Sequence, residues 1–258
     1  MTFRVITANV NGIRSAAKKG FFEWLASVNA DVVCLQEVRA SESQLTDPVY
    51  HPSQYFYRHN EAQKKGYSGV SLYALKKPLE IVSSLGFDTV DNEGRYLHFE
   101  FEKVIIVSIY FPSGTSGEGR QVIKYDFLEK ILPHFEKLAK TSKKSLIICG
   151  DVNIAHTKAD IKNWRSNQNT SGFLPQERAW LDVVFGPASF VDAFRVLNQE
   201  SDQYTWWSNR SRAFENNVGW RIDYHIVTPD LKDKIQRVEI YKAQKFSDHA
   251  PLIIDYDI

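Results

Sequence analysis

Apolar residues along this chain follow two rhythms. Short runs rich in Val, Ile and Leu recur at residues 3–8, 31–36, 69–75, 96–101, 104–110, 145–150, 222–227, 235–241 and 251–255. Several are apolar on both faces, the pattern of strands in a sheet covered on both sides. Between them the spacing lengthens to that of helices. Phe21, Phe22, Trp24, Leu25 and Val28 fit one helix face. Val122, Tyr125, Leu128, Ile131, Leu132, Phe135 and Leu138 fit that of a longer helix, and Trp180, Leu181, Val184 and Phe185 follow Pro175 in a third. The runs 96–101 and 104–110 are parted only by Glu102 and Lys103, too short for a crossover, so they predict a hairpin. The architecture is therefore mixed: packed sheets with outer helices in one domain spanning residues 1–258. Residues 39–68, 111–119, 155–176 and 201–219 read as long irregular stretches, which in a compact domain are often functional.

Composition changes this picture little. A hydrophobic content of 43% with 24% charge is that of a globular enzyme. Lys plus Arg total 32 against 31 for Asp plus Glu, so only local charge is informative, as at Lys64 and Lys65, Lys140, Lys143 and Lys144, or Arg210 and Arg212. Cys34 and Cys149 lie inside apolar runs, where a thiol acts as a small buried hydrophobe; neither a disulfide framework nor a Cys/His zinc site is expected. No apolar run approaches the roughly 18–20 residues of a membrane span. With a strand pattern beginning at Phe3, the expected compartment is the reducing cytoplasm.

The chemistry is concentrated where apolar runs end. Asn9, Glu37, Asp151, Asn153, Asp223 and the Ser247-Asp248-His249 cluster all stand at such ends. Oxygen donors without cysteines favour Mg²⁺ or Mn²⁺, with Glu37 the first choice of ligand. Asp151 and Asn153, at i and i+2, share a face if the strand continues, and suit polarising a water or a phosphate oxygen; an Asp/Asn turn is the alternative. Arg221, Asp223 and His225 are likewise placed on one face. Asp223, a carboxylate on a covered strand, needs a partner, and His249 is a better one than His225, which reads as structural. Tyr110 ends a strand beside a Gly/Ser loop and offers a phenol to a phosphate. Trp206, Trp207 and Trp220 crowd one short stretch; adjacent tryptophans cannot both face one pocket, so one belongs to the core.

Seven segments together, Asn-Val-Asn-Gly-Ile-Arg (9–14), Leu-Gln-Glu (35–37), Gly-Tyr-Ser-Gly-Val (66–70), Gly-Asp-Val-Asn-Ile-Ala-His (150–156), Gly-Phe-Leu-Pro-Gln-Glu-Arg (172–178), Gly-Trp-Arg-Ile-Asp-Tyr (219–224) and Ser-Asp-His (247–249), resemble the signatures of one family. It is the exonuclease III family of apurinic/apyrimidinic (AP) endonucleases, within the endonuclease/exonuclease/phosphatase superfamily. The resemblance implies an α/β, DNase I-like four-layer sandwich of two mixed sheets flanked by helices. It implies a monomer acting on abasic sites or 3′ ends of double-stranded DNA by Mg²⁺-dependent hydrolysis, with Mn²⁺ able to substitute. Glu37, Asn9 and Asp248 then form the metal environment. Asp151 activates water oriented by Asn153, Asp223 orients His249 against the scissile phosphate, and Tyr110 contacts that phosphate. Trp206, Trp220 and Ile222 line the pocket for the extruded sugar, and Arg95, Ser113 and Asn11 complete the substrate contacts. The chain departs from the family pattern at Asn11, Ser113, Thr170 and Trp206. Rival readings are a 3′→5′ exonuclease or 3′-phosphodiesterase, a phosphatase on a non-DNA ester, and a silent DNA binder.

Overall fold

The computed structural model describes residues 2–258. In chain order its elements are β1 (Thr2–Asn9), α1 (Ile13–Lys18), α2 (Phe21–Ser27), β2 (Val32–Gln36), β3 (Phe56–Asn60), β4 (Val70–Ala74), β5 (Glu80–Val82), α3 (Asp88–Asn92), β6 (Tyr96–Glu100) and β7 (Val104–Tyr110). There follow α4 (Glu118–Ser142), β8 (Ser145–Asp151), α5 (Pro175–Phe185), β9 (Val191–Asp192), α6 (Ala193–Leu197), β10 (Trp206–Trp207), β11 (Gly219–Trp220), β12 (Asp223–Val227), β13 (Ile235–Ile240) and β14 (Leu252–Asp257). One sheet runs β13-β14-β1-β2-β4-β3 and the other β5-β6-β7-β8-β12-β9, with β10 and β11 as a separate ribbon. Both large sheets are mixed, because each contains a parallel pair, β1 with β2 and β7 with β8, among antiparallel neighbours.

The covered strands explain the doubly apolar runs. Every residue of β2 and of β7 is buried. One face of each sheet meets the other sheet, where Val5, Cys34 and Leu72 pack with Phe99, Ile106 and Cys149. The outer face of the first sheet is covered by Phe21, Phe22, Trp24 and Leu25 of α2, each contributing about 1.5–3 kcal/mol on burial. The outer face of the second is covered by Phe127, Ile131 and Phe135 of α4 and Leu181 and Val184 of α5. The result is four layers, helix, sheet, sheet, helix. Among the described residues no helix is long and apolar enough to cross a membrane.

Some sequence expectations are corrected. Val122 is 66% exposed; the inward face of α4 includes Lys124 and Phe127 instead, because Lys124 finds a buried acid. The stretches 39–68 and 201–219 hold β3 and the strand β10, whose partner β11 begins at the last residue of the second stretch, Gly219. Arg221 does not share a face with Asp223 and His225. It precedes β12 and stacks on the Tyr224 ring, 4.4 Å from its centroid. The strand carrying Asp151 stops there, and Asn153 is reached through a left-handed turn (φ 56°), so the two do not share a strand face.

Candidate active site

Parallel neighbours bring like ends of strands together, and that topology gathers the polar residues. In the register of β1 on β2, Asn9 lies opposite Gln36, one residue before Glu37. In the second sheet Asp151 lies opposite both Tyr110 and Asp223. A polar ladder under this rim fixes the spacing of the two sheets. Thr7 Oγ1 donates to Gln36 Oε1 (3.0 Å), Gln36 Nε2 donates to Ser108 Oγ (3.1 Å), and Ser108 Oγ donates to the Leu35 carbonyl (3.1 Å). Their signal in the sequence was polarity inside apolar strands.

Asn9 joins the sheets directly, its Nδ2 donating to Glu37 Oε1 (2.8 Å) and to Asp151 Oδ2 (2.9 Å). Glu37 sits at φ 49°, an unusual conformation for a residue with a long side chain, and Arg39 is its cation. Asp223 Oδ2 is 2.9 Å from His249 Nδ1, leaving Nε2 3.9 Å from Asp151 Oδ2. Ser247 holds this segment by donating from Oγ to the Asn9 carbonyl (2.6 Å) while accepting from the His249 amide (2.9 Å). Thr205 Oγ1 accepts from the amides of Ile222 and Asp223, which anchors the other end of the pair.

Electrostatics make this line of groups reactive. Burial pushes Asp151 up, and Asp223 and Glu37 add to it against the opposing pull of His249, bringing it to about 8. Burial alone would push His249 down, but Asp223, Asp151 and Asp248 outweigh it and hold the imidazole protonated, at about 10. Tyr110 is raised well above the usual phenol range, first by burial and then by Glu37, so it remains a donor. His225 is a different case: it is buried between the sheets, its Nδ1 meets the Tyr256 hydroxyl at 3.0 Å, and burial lowers it to about 3. It is a neutral structural histidine.

Above this floor lies a cavity of about 420 Å³ lined by Asn11, Glu37, Arg95, Tyr110, Ser113, Asp151, Asn153, Trp206, Trp220, Ile222, Asp248 and His249. Asn9 and Asp223 lie behind it. The structure thus brings the expected residues to one place, in the cavity wall or directly supporting it. Trp206 faces the cavity while Trp207 is core, packing on Phe214 and donating from Nε1 to Asn217 (3.1 Å). Both oxygens of Asp248 are engaged, Oδ1 by Asn11 Nδ2 (2.8 Å) and Oδ2 by Trp206 Nε1 (3.1 Å). Arg95 is buried: it donates to Glu93 and to the Tyr110 carbonyl and lies 4.6 Å over the Tyr110 ring, so it props the phenol.

Sequence reading missed Arg39, Tyr67 and Arg120 in the wall. Arg120, in the first turn of α4, and Arg95, just before β6, both donate to the Tyr67 hydroxyl, a contact between residues distant in sequence that has no local signal. It also missed Glu177, which accepts from the Gly172 and Leu174 amides and pairs with Lys124 at 2.6 Å; Lys124 in turn donates to the Asn153 carbonyl. Gly172 itself is required, since at φ 95° a Cβ would stand 2.9 Å from the Trp220 ring.

One oxygen or nitrogen each of Glu37, Asp151 and His249 lies within 4.8 Å of the others. Two buried carboxylates bridged by a neutral amide want positive charge, and hard oxygen donors fit an oxygen-preferring divalent cation. A protonated His249 is no ligand, so the carboxylates of Glu37 and Asp151 carry the fit.

The model of the endonuclease/exonuclease/phosphatase family matches residues 6–249 of this chain. The exodeoxyribonuclease of Bacillus subtilis (strain 168) is 37% identical over 251 residues, covering 96% of this chain and 97% of its own length. The DNA-(apurinic or apyrimidinic site) endonuclease of Dictyostelium discoideum is 35% identical over 260 residues, covering 99% of this chain and 71% of its own. In fold, an AP endonuclease from Archaeoglobus fulgidus matches with a TM-score of 0.89 at 24% identity, over 99% of this chain and 100% of its own.

Proposed function

The chain belongs to the endonuclease/exonuclease/phosphatase family, and from that premise we propose that it is a DNA repair nuclease, a hydrolytic AP endonuclease acting on double-stranded DNA. It cleaves the phosphodiester 5′ to an abasic site, leaving a 3′-hydroxyl and a 5′-deoxyribose phosphate, and it also processes 3′ ends. The observation that carries this reading is the line Asp223, His249, Asp151 at the floor of a cavity walled by Trp206, Trp220 and Ile222. Because Asn9 of the first sheet bonds to Asp151 of the second, both sheets contribute to the site and residues 1–258 act as one catalytic domain.

In this mechanism a sugar lacking its base is received against the wall made by Ile222 and the edge-to-face pair Trp206 and Trp220, whose ring centroids are 6.1 Å apart. Asp223 fixes His249 so that its charged Nε2 faces the phosphate and stabilises the negative charge that builds there. Asp151 takes the proton of the attacking water. Asn153 gives its amide hydrogen to the Phe111 carbonyl (3.0 Å), which leaves its oxygen to orient that water. Tyr110 donates its phenolic hydrogen to a phosphoryl oxygen. When bound at Glu37 and Asp151, Mg²⁺, or Mn²⁺ in its place, supplies positive charge that neutralises the phosphate and the crowded carboxylates.

A second reading, mainly 3′→5′ exonuclease, is favoured by the name of the Bacillus subtilis relative. Two labelled duplexes separate the two, one with an internal tetrahydrofuran abasic analogue and one undamaged with a recessed 3′ end, each with Mg²⁺ or EDTA. The analogue blocks β-elimination, so Mg²⁺-dependent incision there is the expected result. Digestion of the undamaged end alone would make the protein an exonuclease, and no reaction on either would remove the nuclease assignment.

A further inference from the structure

Most buried or half-buried cations in the molecule answer a carboxylate: Arg4, Arg95, Lys124, Arg195 and Arg221 all stand in ion pairs. Lys158 and Arg165 are exposed, and among the described residues neither pairs with an acid. Both instead lie over the ring of Trp164, Lys158 Nζ at 4.3 Å and Arg165 Cζ at 4.6 Å from its centroid. The acid nearest in sequence, Asp160, is buried and already occupied by Arg195, Arg221 and Thr157. The ring therefore holds two exposed cations with no acid of their own, an arrangement that an incoming anion completes.

The position of this pair of cations gives the anion's identity. Trp164 packs against Ala155, Ile161, Phe173 and Ile222 together with Trp206 and Trp220, the rings of the cavity wall. The segment is held in place by Lys162 N–H to the Gly219 carbonyl (3.1 Å) and by Asn167 Nδ2 to the Asn163 carbonyl (2.8 Å). The cations therefore sit on the outer side of the wall that receives the sugar. A guanidinium and an ammonium held on one ring offer their N–H groups to the phosphates of a strand leaving that cavity. Lys64 stands over Tyr67, a residue of the cavity wall, in a looser version of the same device.

Resting on the nuclease reading above, we infer that Lys158, Trp164 and Arg165 form a clamp for the backbone phosphates of the duplex that flanks the cleaved site. The clamp acts on binding and leaves the chemical step to the groups on the cavity floor. The test is K158Q/R165Q with Trp164 left in place, assayed on the tetrahydrofuran duplex across a salt series. K140Q/K143Q removes equal charge from the C-terminal end of α4, next to the end of β8 remote from Asp151, and serves as control.

The expected result is a several-fold higher KM with kcat unchanged, and a salt slope of log kcat/KM shallower by roughly 0.9 per charge removed, with the control like wild type. Wild-type KM and slope in K158Q/R165Q, or an equal change in the control, overturns the clamp. If wild type fails to cut, the nuclease reading falls by itself. The clamp is then decided by the salt dependence of binding to undamaged duplex, where a slope shared by wild type and K158Q/R165Q overturns it.

Discussion

At the scale of single residues, the site depends on groups whose protonation is set by their neighbours. His249 owes its charge to Asp223, Asp151 and Asp248, and Asp151 owes its basicity to burial and to Asp223. Asp151→Asn is expected to lower kcat by about 10²–10⁴ and His249→Ala by about 10²–10³, each with abasic-duplex affinity retained. Single-turnover rates beside a binding titration measure both; near-normal turnover in either variant removes the role given to it. Gly172→Ala tests shape instead of charge. Its methyl meets the Trp220 ring and its φ is left-handed, so a stability loss of about 1–3 kcal/mol with a raised KM is expected in denaturant titrations and kinetics. These roles were legible in part. Asp223 was matched to His249 because a covered carboxylate needs a partner. The engagement of both Asp248 oxygens was not, since Asn11 and Trp206 are far from it in sequence.

At the scale of elements, α4 does more than cover a sheet. Its Lys124 is fully buried and joins three segments: the helix, the turn at Asn153, and the loop at Gly172 through Glu177. Removing one partner strands a charge in the interior. Lys124→Met is expected to cost about 3–5 kcal/mol, whereas Lys124→Met with Glu177→Leu recovers part of it. Urea unfolding of the single and double variants gives the comparison, and an undiminished stability in the single variant would show the pair to be idle. Periodicity alone placed Val122 on the inner face and overlooked Lys124, because hydropathy assigns a lysine to water unless its partner is known. The hairpin of β6 and β7 was legible for the opposite reason: a two-residue connection has few geometries.

At the scale of the whole molecule, the two sheets are tied by groups that must stay neutral. His225 of β12 meets Tyr256 of β14 across the sandwich, their rings stacked at 6.2 Å, and burial holds the imidazole at about 3. A second neutral histidine lies on the outer face of β6 beneath α4: His98, bonded to the Tyr96 hydroxyl (2.6 Å), is lowered to about 4, by burial and then by His134. A folded value below the ordinary 6.5 means the unfolded chain binds the extra proton, so this stability is complete above about pH 6.5 and is lost as pH falls toward the folded values. His225→Phe is expected to flatten the decline between about pH 6 and pH 4 by about 1.4 kcal/mol per pH unit, read from urea titrations at each pH; an unchanged slope would show that the histidine is already charged in the fold. The strands, the covering helices and the chemistry of the site were written in the sequence by itself, because burial on two faces and oxygen donors at strand ends each leave a local pattern. Which ends meet, which tryptophan faces the cavity, and which lysine can be buried were decided by tertiary structure. Those outcomes depend on sheet order and on partners tens or hundreds of residues away, as when Asn9 bonds to Asp151, and no local pattern carries that information.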